Sequence, residues 1–162
     1  MSLFENDEYR WRETYFVLFD AARRPSVGDV VKALVETNSH YELTEVRDAD
    51  SKFESLTLIS KDDNAAMDII YIEGEEVKEQ AGDLVDELRN AAVEPDQKRR
   101  LGELTECNAR FDVFHFEHIA FDAELAGEDE EFMDPGSLLN VLQALKGLTE
   151  GIAVDPQAGE FV

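Results

Sequence analysis

The segment Thr14-Tyr-Phe-Val-Leu-Phe-Asp20 holds the longest unbroken apolar run of the chain, the five residues Tyr15 to Phe19. The run is aromatic and β-branched and does not alternate with polar residues. That pattern predicts a strand buried on both faces, in the interior of a sheet. Five residues are far fewer than the ~20 a membrane helix needs, so no membrane-spanning segment is expected. The rest of the chain must then supply the partners of this strand.

Three stretches repeat apolar residues at helical spacing. After Arg23-Arg24-Pro25, Ser26 and Asp29 stand at capping-box spacing, and Val27, Val30, Val31, Leu34 and Val35 follow on one helix face. Val77, Ala81, Leu84, Val85 and Leu88 form a second stripe after Gly74. Asp134-Pro135 starts a third helix with Leu138, Val141, Leu142, Leu145 and Leu148, which Gly151 ends. Pro95 opens a shorter helix containing Leu101 and Leu104.

Tyr41 to Arg47 and Phe53 to Ser60 read as a hairpin joined by the turn-rich Asp48 to Lys52, and Met67 to Glu73 as a third strand after Lys61-Asp-Asp-Asn64. Arg110 to His118 reads as a buried strand with Phe111 and Val113 on one face and Phe114 and Phe116 on the other. Ile152 to Val154 adds a short last strand. The order β-α-β-β-β-α-α-β-α-β predicts a single α+β domain over residues 1–162, with a mainly antiparallel sheet and helices on one face. A leading strand, a crossover helix and a hairpin lean toward the split β-α-β, ferredoxin-like arrangement. Residues 148–161, Leu-Thr-Glu-Gly-Ile-Ala-Val-Asp-Pro-Gln-Ala-Gly-Glu-Phe, resemble the endings of some uncharacterised bacterial proteins; no activity or site residue comes with that resemblance.

Charge narrows the function classes. Thirty-eight Asp and Glu against fifteen Lys and Arg give a net charge of −23, while 43% apolar residues with ten Phe are too many for a disordered acidic tail. Such a surface repels nucleic-acid phosphates and anionic lipid, so direct nucleic-acid or membrane binding is not expected. The first residues carry charges throughout and form no signal-peptide core, and Cys107 is the single cysteine, which together fit a cytoplasmic location. Six Lys to nine Arg also leave room for adaptation to a saline interior. Residues 111–162 hold twelve acids and one base, Lys146, with the peak at Glu128, Asp129, Glu130, Glu131 and Asp134. That block is either a solvated loop or a docking patch for a cationic partner.

Motifs of catalysis are mostly missing. The glycines never fall two apart and none precedes a lysine, so no phosphate-cradling loop forms, and there is no Gly-x-Ser-x-Gly. Asp48-x-Asp50 starts like a calcium loop but continues with Lys52, Phe53 and Ile59 at the fifth, sixth and twelfth places. Metal chemistry would begin at His115-Phe-Glu-His118, joined by Asp112 or Asp122, although on a strand His115 and Glu117 share one face and His118 takes the other. Cys107 with His115 as a base lacks a context that lowers a thiol pKa, and reads as a packed thiol. Arg10-Trp11-Arg12 reads as a segment whose arginines meet nearby acids. The expectation is therefore a non-enzymatic module that binds a protein partner, in its specific form a neutraliser of a basic protein whose carboxylates mimic phosphates, with no cofactor. The alternative is a small metal-assisted enzyme using His115 and His118.

Overall fold

A computed structural model of the chain describes residues 3–90, 92, 94–119 and 136–162. The expected elements are present with adjusted bounds. In chain order they are β1 (Tyr9–Phe19), α1 (Val27–Thr37), β2 (Glu42–Ala49), β3 (Lys52–Ser60), β4 (Ala65–Glu73), α2 (Glu75–Leu88), α3 (Pro95–Leu104), β5 (Ala109–His118), α4 (Gly136–Thr149), β6 (Ile152–Asp155) and β7 (Glu160–Phe161). Short 3-10 turns cover Leu3–Glu5, Ala21–Arg23 and Lys61–Asp63. No described helix is long and apolar enough to cross a membrane.

Local chemistry fixes several of these bounds. Ser26 Oγ accepts from the Asp29 amide at 3.1 Å, which satisfies one of the free donors at the start of α1. The β2–β3 hairpin turns on Asp50 and Ser51, with φ of 51° and 69°, the two-residue left-handed loop whose twist suits antiparallel strands. Asp48 Oδ2 accepts from the Ser51 amide at 3.0 Å, so the aspartate that opened a calcium-like motif serves the turn. At α3, Gln97 Oε1 accepts from the Glu94 amide at 3.0 Å, just before Pro95 takes the first helical position.

Among the described residues the seven strands form one antiparallel sheet in the order β2-β3-β4-β5-β1-β6-β7. The class is α+β, as the element pattern predicts. The expectation of helices on one face needs correction. Val17, Phe19, Phe111 and Val113 lie in a core with Val30 and Leu34 of α1 and Leu138, Val141, Leu142 and Leu145 of α4. Leu18, Ile152 and Val154 project the other way, into a second core with Ala81, Leu84, Val85 and Leu88 of α2 and Leu104 of α3. The physical reason lies in β1 itself. Successive residues point to opposite faces, and a run with no polar alternate needs cover on both; Val17 and Leu18 are each 0% exposed.

The crossover through α1 joins β1 to β2, which run in the same direction because four antiparallel pairings separate them. A split β-α-β does the same, but here three strands, β5, β4 and β3, stand between the two. β1 is also longer than the apolar run. Its first residues pair with β5 through a register shift between Trp11 and Glu13.

Candidate functional site

Glu128, Asp129, Glu130, Glu131 and Asp134, the sequence-predicted docking patch, lie outside the described residues. Asp122 does too. His115 and His118 are described, and unbroken β5 sends them to opposite faces. His115 is fully buried beside Met67 and Glu13, while His118 is exposed with its ring 5.1 Å from that of Tyr9. The strand has no bend to bring the two imidazoles together. Among the described residues no group of three or more His, Cys, Asp and Glu is placed to hold a metal ion.

His115 Nδ1 lies 3.2 Å from Glu13 Oε1, and its Nε2 is buried without a hydrogen-bond partner. Burial pushes the imidazole pKa down, the Glu13 carboxylate pulls against that, and Arg12 adds to the lowering. Burial thus disfavours the charged form of the ring. Cys107 is 6% exposed, contacts the Glu103 carbonyl through Sγ at 3.5 Å, and burial pushes its thiol up to about 11. It is the packed thiol that the sequence suggests. Arg10 and Arg12 both reach Glu117, the second at 3.4 Å, so the cationic cluster is spent within the fold.

The feature that sequence counting missed is on α2. Glu75, Glu76, Glu79, Asp83, Asp86 and Glu87 are all exposed, opposite the buried stripe of Val77, Ala81, Leu84, Val85 and Leu88. At 100° per residue these six acids fall within a sector of about 120°. Only Asp86 among them has an ion pair within the described residues, with Arg89 at 3.4 Å, the residue that follows the helix. The sequence signal was present in the spacing of acids between the apolar positions. Charge summed over long stretches of chain, where Lys98, Arg99 and Arg100 offset those acids, hid it.

Beneath α2, Arg110 ties helix to sheet. Its Nε donates to Asp112 Oδ1 at 2.7 Å, its Nη1 donates to Gln80 Oε1, and its guanidinium stands 4.1 Å from the centre of the Phe16 ring. Burial raises the Asp112 pKa and the neighbouring guanidinium opposes that rise. Further across the same face a shallow cavity of about 170 Å³ is lined by Glu45, Arg47, Ser55, Thr57, Asp68 and Ile70. Its wall is structural, since Asp68 accepts from Thr57 Oγ1 at 2.6 Å and from the Leu3 amide at 3.0 Å.

No family model, curated protein or solved structure matches this chain. The surface itself carries the functional argument.

Proposed function

We propose that this chain is a non-enzymatic interaction module that binds and neutralises a basic protein, with the acidic face of α2 as a contact surface. The observation that carries this reading is the carboxylate stripe, in which Asp86 alone has an ion pair among the described residues. From Glu75 to Glu87 the helix rises about 18 Å at 1.5 Å per residue, which places its six charges at about 3.6 Å intervals on average along the axis. A single nucleic-acid strand in a duplex carries one phosphate per about 3.4 Å. A lysine- and arginine-rich surface built for phosphates would meet a similar linear charge density here. The segment with Glu128, Asp129, Glu130, Glu131 and Asp134 belongs to the same proposal as a second acidic element.

A stripe of this kind is unfavourable for the helix alone. Glu75 and Glu79, Glu79 and Asp83, and Asp83 and Glu87 are like-charge neighbours four residues apart, and Asp86 and Glu87 oppose the dipole at the helix end. A cationic partner relieves that repulsion.

The test compares two variants of equal net charge. In one, the six α2 acids become Gln or Asn; in the other, Glu36, Glu42, Glu45, Asp48, Glu54 and Asp62 do. Association with a twelve-residue lysine peptide at low salt is expected to slow about tenfold in the first and little in the second, because a local field steers encounter. Equal rates for the two variants would defeat the proposal.

A further inference from the structure

The face of the sheet that carries α2 has two separate apolar clusters with a gap between them. One holds Leu18, Ile152 and Val154 under α2 and α3. The other holds Ala66 and Phe116 under Leu3 of the first turn, with Phe4 edge-on to Phe114 and Phe116 at 5.3 and 4.8 Å. Between them the strands align one transverse row of directly paired residues, Arg47, Ser55, Ile70, Asp112 and Phe16. Directly paired residues share a sheet face. Among the described residues no helix covers the middle of this row. Ile70 is 37% exposed there although its strand neighbour Ile69 is fully buried on the other face, and Phe4 at 58% stands on the far wall.

The near wall is α2, through its Gln80 flank. Gln80 reaches the Arg110 guanidinium, which lies over Phe16 and bonds Asp112, so this flank borders the row. Glu76 and Asp83 lie four residues before and three after Gln80, on the same side of the helix. Glu76 and Asp83 therefore border a furrow in the sheet whose floor sets Ile70 and Phe16 among Arg47, Ser55 and Asp112.

We infer that this furrow seats an extended segment of the partner in which basic residues alternate with apolar ones. The apolar side chains rest on Ile70 and Phe114 against Phe4, and the basic ones meet Glu76 and Asp83 on the rim. An extended segment suits the site because its side chains alternate, one set into the floor and one away from it. This inference rests on the proposed binding of a basic protein and names the part of it that docks. A purely polycationic segment would engage the rim and leave Ile70 exposed.

Two twelve-residue peptides separate these cases, one of lysine alone and one alternating lysine and leucine, with equal concentrations of each titrated against the full chain. The alternating peptide is expected to bind at least tenfold more tightly at physiological salt despite carrying half the charge, and to shift the backbone resonances of Ser55, Ile70 and Phe114. Ile70→Ser and, separately, Ser55→Trp are expected to abolish that preference by speeding dissociation, while binding of the lysine peptide stays as in the parent. If the lysine peptide binds through α2 and the alternating peptide gains nothing, or Ile70→Ser leaves its gain intact, the furrow inference fails and the proposed function stands. If neither peptide binds, both fail. Ile70 is solvent-exposed, so Ile70→Ser keeps the test valid should Ser55→Trp disturb the sheet.

Discussion

Arg110 shows how one side chain can hold two layers together. It is a charge with 9% of its side chain exposed, paired with Asp112 at 14%, and it also bonds Gln80 on α2. Replacing it by Met leaves Asp112 in the core without its cation, which costs about 3 kcal/mol for a broken buried pair. The double variant Arg110→Met with Asp112→Leu removes both charges and is expected to recover most of that loss in urea unfolding. A double variant as unstable as the single one would show that Asp112 does not depend on the pairing. His115 makes a second prediction. Its folded pKa is depressed by burial, so between the folded value and the ordinary 6.5 the unfolded chain binds more protons than the native one. The stability of the neutral ring is complete above 6.5 and declines as pH falls below it. Thermal unfolding between pH 7.5 and 5.5 should show this decline, and His115→Leu should flatten it.

Among the elements, helices and central strands were legible in the sequence because their apolar spacing records which side is covered. Leu84 and Leu88 of α2, and Leu138 and Leu145 of α4, are buried as their stripes predict. What spacing does not record is which face of the sheet a stripe meets, since α2 and α4 read alike and pack on opposite sides. The candidate site was less legible. Ile70 reads as one more core residue of β4, and its exposure depends on the distance between α2 and the first turn, which is set by tertiary packing. Gly151 follows the end of α4 as the sequence suggests, for a reason the sequence does not record. Glu150, with φ of 51°, takes the left-handed position, while Gly151 is required because a β-carbon there would stand 2.8 Å from the Leu18 carbonyl oxygen. Glu150→Gly is therefore expected to raise stability by about 1 kcal/mol, and Gly151→Ala to lower it by about 1–3 kcal/mol through forced displacement of β1. Chemical denaturation of the two variants checks both signs.

For the whole molecule, a charge of −23 makes ionic strength a stabilising agent. The melting temperature is expected to rise from low to moderate salt, with most of the gain complete once the screening length falls to about 8 Å. The variant with neutral α2 acids should start higher and gain less. A melting temperature that climbs into molar salt would instead mark adaptation to a saline interior.

The strand order also sets a timetable. β1 emerges first from the ribosome, yet its neighbours are β5 and β6, while β2, β3 and β4 pair with one another in succession. About 90 residues separate the end of β1 from the start of β5, so at 5–20 residues per second the run Tyr15 to Phe19 waits roughly 5–20 s for its first neighbour. During that interval the three-stranded meander can form from short-range pairings alone, and the centre of the finished sheet closes only when β5 emerges, before β6 and β7 complete the edge. The strand with the longest apolar run is thus the one exposed longest to a nascent-chain chaperone, and a ribosome stalled before Ala109 should display it unpaired.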